Sequence, residues 1–210
     1  VKKLRPDVKI YLYGSDVDIK LDVEMENLHI MPIDKCNELY NKCKVGVCMS
    51  SSNPSRIPFE MMAAGLPVVD LYRENNLYDI PDAGVLLADT SPEAVASAII
   101  KLLDDSKLQK NLSDAGYKFM QDYPIERGFN EFLKFVNDIL EDKNVPDSNV
   151  KKIYNREPVM PTEEVISVMD AIKEVPIAPK NTTKTVRNLV RIKRYIKRKY
   201  ASAIHKIFKV

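Results

Sequence analysis

The chain has 210 residues and a mass of 24.0 kDa, which is room for one α/β domain with an appendage or for two small domains. Its 45% apolar and 30% charged content argues against a wholly disordered chain, and no run approaches the ~18 uninterrupted apolar residues that a membrane-spanning helix needs. The net charge of +2 divides unevenly: residues 183–210 carry ten Lys/Arg and no acid, leaving 22 of the 32 bases against all 30 acids, a net of −8, over the rest.

Residues 1–6 lack the apolar stretch of a secretory signal, and a chain that begins at Val1 reads as a piece of a longer one. Residues 8–13, rich in β-branched and aromatic side chains, predict a strand ending at Gly14-Ser15-Asp16. A second short strand is predicted over 28–31, stopped by Pro32, with His29 as a structural histidine inside it. Asp34 has the character of an N-cap for a helix over about 35–43, whose Cys36, Leu39, Tyr40 and Cys43 share one face. The three cysteines, Cys36, Cys43 and Cys48, have no C-x-x-C spacing, and the chain has only two histidines. They read as free thiols in a reducing compartment, with no zinc site.

Residues 45–49 predict a buried strand, followed by the polar run Ser50-Ser51-Ser52-Asn53-Pro54-Ser55-Arg56. A short helix over about 58–64 is closed by Gly65 and leads into strands at 67–71 and 84–87. Three helices follow: one from Ser91-Pro92-Glu93 to Leu103, one opened by the capping box Ser106-x-x-Gln109 and running to about Gln121, and one over about 125–140. Residues 144–182, with five prolines, read as an extended linker holding one short helix at about 162–173. The alternation of strands and helices predicts a Rossmann-like parallel sheet wrapped on both faces, in a domain over 1–143. In such sheets a ligand sits beyond the carboxyl ends of the strands, here at 14–16, 31–34, 50–56 and 71–76.

One motif carries chemistry. In Ser52-Asn53-Pro54-Ser55-Arg56-Ile57-Pro58-Phe59-Glu60-Met61-Met62-Ala63-Ala64-Gly65-Leu66-Pro67-Val68-Val69, a strand-end loop runs into a helix with a carboxylate near its start. Free N–H groups and the positive dipole end of that helix predict a seat for a diphosphate, with Arg56 adding a formal charge. The two oxygens of Glu60 suit the vicinal hydroxyls of a ribose. The plainer reading is that the macrodipole alone favours Glu60, while Ala63-Ala64-Gly65 lets helix and sheet approach.

This string resembles the donor-sugar half of the two-Rossmann-domain (GT-B) glycosyltransferases, in the large retaining family that includes sucrose synthases and bacterial polysaccharide transferases. That family's pattern is a Glu, seven residues, a second Glu and a small-residue helix ending in Gly-x-Pro-Val-Val. Residues Glu60 to Val69 match its second half, and the similarity extends over about 4–140. The first Glu falls at Ser52, and the Ser-x-Pro-Ser-x-x-Pro-x-Glu-Met form is similar to a subgroup that includes rhamnosyltransferases using dTDP-rhamnose. The resemblance implies a retaining, metal-independent sugar transfer from a nucleotide-diphosphate donor in surface-glycan synthesis, with no cofactor. It implies donor contacts at Glu60, Arg56, Ser55, Asn53, Ser52, Gly14, Asp16, Met31 and Pro32. It also implies an N-terminal acceptor domain as partner, without which these 210 residues bind nucleotide weakly and turn over nothing.

Residues 185–208 are helical in period, with Val186, Leu189, Val190, Ile196, Tyr200 and Ile204 on one side and Arg187, Arg191, Arg194 and Arg198 on the other. Such a helix suits an anionic membrane surface, and equally a partner domain. Nucleic acid is the lesser fit, because the body is acidic. The expected location is cytoplasmic, peripheral to the inner face of a membrane. A non-catalytic transferase-like scaffold is the rival reading, favoured by Ser52, and an epimerase on the same fold is a third.

Overall fold

The computed structural model describes residues 1–18, 22–52, 55–143 and 151–173. The chain divides into a unit over Val1–Ala171 and a second over Ile172–Val210, of which only 172 and 173 are described. The basic helix read over 185–208 therefore lies outside the described residues.

The first unit is α/β with every strand pairing parallel. Strands β1 (Tyr11–Leu12) and β2 (Glu26–Asn27) form a two-stranded sheet. After helix α1 (Ile33–Lys42), strands β3 (Gly46–Val47), β4 (Val68–Leu71) and β5 (Val85–Ala88) form a second sheet in the order β3-β4-β5. Helix α2 (Ile57–Ala63) links β3 to β4, and α3 (Glu74–Asp79) links β4 to β5. Helices α4 (Pro92–Asp104), α5 (Ser106–Gln121), α6 (Ile125–Leu140) and α7 (Glu163–Lys173) follow.

The period of two along β4 and β5 builds a core on each face of the larger sheet. Val68, Val85 and Leu87 join Met61, Met62, Leu77 and Ile80 on one side. Val69, Leu86 and Ala88 join Ala94, Val95, Ala98 and Leu102 of α4, with Leu112 of α5, on the other. Gly84 (φ +79°) and Gly116 meet where α5 crosses the sheet: a Cβ on Gly84 would stand 2.7 Å from the Gly116 Cα. That approach is open only to glycine.

Several expectations are corrected in detail. The predicted single sheet exists as two, and β2 lies at Glu26–Asn27 rather than 28–31. The apolar Leu28 follows the strand, and the chain then turns at His29, which is exposed with φ +55° and is no strand residue. Helix α1 starts after Pro32, whose extended backbone (ψ 156°) precedes the helix without a side-chain cap, so Asp34 sits inside the first turn and favours the helix through its dipole. The cap of α5 is Asp105, whose Oδ1 accepts the Leu108 N–H at 2.8 Å, not Ser106. Ser91 does cap α4, accepting the Ala94 N–H at 3.2 Å.

Part of the segment read as linker packs on the body. The amides of Ile153 and Tyr154 donate to the Leu77 carbonyl, and Tyr154, buried, receives the Leu87 N–H on its hydroxyl at 3.0 Å. Val159 then pairs in parallel with Ala88. The outer edge of β5 is thereby covered, which removes an exposed strand edge. By contrast α6 buries no residue. Ile125, Phe129, Phe132, Leu133, Phe135, Ile139 and Leu140 are all between 49 and 76% exposed.

Candidate functional site

The site is set by α2 and the ends of the strands around it. Pro58 presets the helical φ in the first turn, and Gly65 (φ +74°) ends the helix, its N–H donating to the Met62 carbonyl and the Leu66 N–H to that of Met61. Pro58, Met61 and Met62 are buried, with Met61 seated against Gly46, where a Cβ would overlap its sulfur. Glu60 stands between them in sequence and is half-buried, and among the described residues its carboxylate has no hydrogen-bond or ion-pair partner.

Around Glu60 lie groups from three elements. Tyr13, after β1, and Tyr40, in α1, share a hydrogen bond of 2.7 Å between their hydroxyls, with the rings edge to face at 6.0 Å. Tyr13, Tyr40, Cys36, Cys48, Met31 and Phe59 belong to one apolar cluster. Burial is the main cause that pushes the Cys48 thiol up to about 12, and the negative charges of Asp70 and Glu60 add to it. Glu60 likewise contributes, after burial, to raising Cys36 and Tyr40. Cys36, Tyr40 and Cys48 are therefore neutral groups at neutral pH, and the Glu60 charge adds to what burial does to each of them. All three cysteines are free thiols.

The expected row of free N–H groups at the start of α2 is not present, and this corrects the diphosphate seat inferred above. The Ile57 N–H donates to Ser55 Oγ at 3.2 Å, Pro58 has none, and those of Phe59 and Glu60 donate to the Arg56 carbonyl at 3.1 and 3.2 Å. A seven-residue helix has a small dipole as well. Positive charge at the strand ends comes from side chains instead. Arg56, after β3, and Arg73, after the adjacent β4, are both exposed, and neither guanidinium has a partner among the described residues.

The other expected residues fall in different places. Met31 packs in the cluster beneath Glu60, and its carbonyl accepts the Cys36 thiol at 3.9 Å; it also lines an open groove with Tyr11, Leu28 and Leu39. Pro32 is exposed at the head of α1. Gly14 (φ +93°) turns the chain after β1, its N–H donating to the His29 carbonyl at 2.8 Å, while Asp16 is exposed with no contact to the Glu60 cluster among those described. Ser52 is exposed, Ser55 is half-buried below the start of α2, and Asn53 lies outside the described residues.

Sequence reasoning missed what lies under this loop. Asp70, in β4, has 0% exposure and accepts three hydrogen bonds: from the Ser50 N–H at 2.8 Å, the Ser50 hydroxyl at 2.6 Å and the Leu71 N–H at 2.7 Å. The Ser50 hydroxyl oxygen in turn accepts the Ser55 N–H at 3.2 Å. Asn76 of α3, also at 0% exposure, donates to the Leu71 carbonyl at 2.8 Å and more weakly to that of Ser50 at 3.4 Å. The available signal was a lone acid in the apolar run Val68-Val69-Asp70-Leu71, which must find donors when buried. Among the described residues no group of three or more His, Cys, Asp or Glu is placed to hold a metal ion, and no helix is long and apolar enough to cross a membrane.

Comparison with known proteins locates the similarity on this part of the chain. Residues 2–100 match the family model described as "WsaF, C-terminal domain". The chain is also similar to the O-antigen biosynthesis protein RfbC of Myxococcus xanthus, at 28% identity over 116 residues. That match covers 53% of this chain and 9% of the relative, so the chain spans a small part of the protein it matches.

Proposed function

We propose that this chain is the C-terminal, donor-binding domain of a glycosyltransferase that acts in polysaccharide synthesis. Its donor is a nucleotide-diphosphate sugar laid across the C-terminal ends of β3 and β4. The observation that carries the reading is Glu60, a half-buried carboxylate at the strand ends with no hydrogen-bond or ion-pair partner among the described residues. A carboxylate left open in that way suits hydroxyls brought by a ligand, and the positions of Glu60, Gly65 and Pro67 are those of the donor-site motif. The match to the WsaF C-terminal domain and the similarity to an O-antigen biosynthesis protein support a glycosyltransferase domain of this kind.

In this reading Glu60 accepts the ribose hydroxyls, one per oxygen. Arg56 and Arg73 face the diphosphate and stabilise the charge that develops on it as the bond from the anomeric carbon to the diphosphate oxygen breaks. The new bond forms to an acceptor hydroxyl, which loses its proton. Retention of configuration and the absence of a metal requirement follow from the resemblance, as does dTDP-rhamnose as donor. A deoxyribose has a single free hydroxyl at that edge, so Glu60 would accept one hydrogen bond from it. Ser52, in place of the first Glu of the motif, makes a polar donor contact only.

The acceptor half belongs to a separate domain. The exposed apolar face of α6 supports this, because monomeric proteins seldom leave a patch of that size uncovered. The donor domain over 1–143 carries the packed stretch at 153–159 as part of itself, and the basic segment over 183–210 is a separate functional part. The latter would hold the enzyme at an anionic membrane surface, near lipid-borne acceptors. Calorimetric titration with dTDP, UDP and GDP tests the donor reading: one nucleotide should bind, and a chain that binds none of them is the non-catalytic scaffold instead.

A further inference from the structure

The proposed donor site depends on where the loop after β3 and the start of α2 are held, and the structure contains a mount for them. The Ser50 hydroxyl donates to buried Asp70 at 2.6 Å and accepts from the Ser55 amide at 3.2 Å. Ser55 Oγ then accepts the Ile57 amide at 3.2 Å, which is the first N–H of α2. The chain of contacts thus runs from the middle of the sheet, through two hydroxyls, to the helix that bears Glu60. Asn76 ties the head of α3 to the end of β4, and to the Ser50 carbonyl, in the same buried pocket.

We infer that Ser50 is a positioning residue: through its hydroxyl, buried Asp70 sets the place of Ser55 and the start of α2, and so the stance of Glu60 toward the donor. Geometry supports a directed role over generic packing. Ser50 is 4% exposed, and its single hydroxyl is both donor to Asp70 and acceptor from Ser55, so that among the described residues this one oxygen joins the two. Asp70 has no cationic partner among the described residues and relies on three hydrogen-bond donors, two of which belong to Ser50. A buried acceptor of this kind strongly penalises any arrangement in which Ser50 moves away. The mount also accounts for the first amide of α2, that of Ile57, which Ser55 Oγ occupies, while the Arg56 carbonyl takes those of Phe59 and Glu60. These amides are used to fix the helix, which leaves the ligand to side chains.

The inference rests on the donor reading for its purpose but not for its mechanics, and the experiment separates the two. Amide hydrogen exchange is measured on the whole chain for the wild type, S50A, D70N and the S50A/D70N pair, together with titration by whichever of dTDP, UDP and GDP the wild type binds. In S50A the Ser55 and Ile57 amides should exchange about fivefold faster or more, the effect of losing one hydrogen bond, while amides of α4 stay unchanged. D70N should accelerate the same amides, and should add little in the S50A background, because its effect passes through Ser50. Nucleotide affinity in S50A should fall several-fold although residue 50 is buried away from solvent. Unchanged exchange at Ser55 and Ile57 in S50A would overturn the mount, as would full additivity of the two substitutions. Loosened exchange with undiminished nucleotide affinity would overturn the positioning role. A wild type that binds no nucleotide would remove the donor reading, and the exchange pattern would still decide whether Ser50 sets the loop.

Discussion

The two sheets of this protein are built to different standards. In β3-β4-β5 the strands β4 and β5 are buried on both faces: Val68, Val69, Val85 and Leu87 have no exposure at all, and the outer edge is covered by Tyr154 and Val159, while β3 leaves Val47 exposed. In β1-β2 each strand has two residues, Tyr11 and Leu12 are half-buried, and the buried Asn27 Nδ2 has no partner among the described residues. The first sheet is a rigid base from which α2, Asp70 and Arg73 project. The second supplies one wall, through Tyr13 and the turn into Met31 and Pro32. A site made in this way has a fixed floor, which holds Glu60, and a yielding side, which is where adjustment to a ligand would occur.

The largest expected effect breaks the comparison at its strongest point. Leu87→Ala, on the fully buried strand β5, should cost about 2–5 kcal/mol, whereas Leu12→Ala, half-buried on β1, should cost clearly less. Denaturant unfolding of both variants checks this, and equal losses would mean that the sheets are equally integral to the fold. Gly84→Ala comes next. A Cβ there meets the Gly116 backbone at 2.7 Å, and φ is positive, so a loss of about 1–3 kcal/mol is expected, read as a lower thermal midpoint.

How far the sequence disclosed this structure follows from the same contrast. Strands β4 and β5 were legible because each is an apolar run bounded by glycine, at Gly65 and Gly84, and both their faces are buried. Strand β2 was misplaced because its residues, Glu26 and Asn27, are polar at a half-open edge, while the apolar Leu28 to Met31 drew the reading past it. Helix α3 escaped notice because its six residues include Asn75 and Asn76, poor helix formers, and Asn76 is retained for its hydrogen bonds to Leu71 and Ser50. At the site, Glu60 was legible from its spacing to Gly65 and Pro67. The occupied amides of α2 were not, because Ser55 and Arg56 satisfy them within four residues and no periodicity shows that. Asp70 was hidden for a related reason: its partners are 1 and 20 residues away and meet it only once the sheet has formed.

A smaller effect concerns pH. Burial holds the Cys48 thiol up to about 12 in the fold, against about 8.5 in an unfolded chain. The unfolded state therefore loses its proton first as pH rises. Stability from this group is intact below about pH 8.5 and declines between there and pH 12. Urea midpoints at pH 8 and pH 10.5 should fall in the wild type and fall less in C48A. Tyr13 and Tyr40, which burial also raises, add to the decline above their ordinary range. The smallest expected effect is at α6: Phe132→Glu, at a position 64% exposed on a helix with no buried residue, should change stability by no more than about 0.5 kcal/mol. A larger loss would show that this face is covered in the chain itself, not left for a separate domain.

The central claim is that Glu60 receives the sugar hydroxyls of a nucleotide donor, and it is tested most directly by titrating the wild type and Glu60→Ala with whichever of dTDP, UDP and GDP the wild type binds, and with the 3′-deoxy form of that nucleotide. The account predicts that the wild type prefers the form with the 3′-hydroxyl, which ribose and deoxyribose share, and that Glu60→Ala weakens the parent nucleotide by about 1–3 kcal/mol, the cost of losing a charged hydrogen-bond partner. It also predicts that the substitution removes most of that preference. Equal binding of the nucleotide by the wild type and Glu60→Ala, or a preference that survives the substitution, would contradict it.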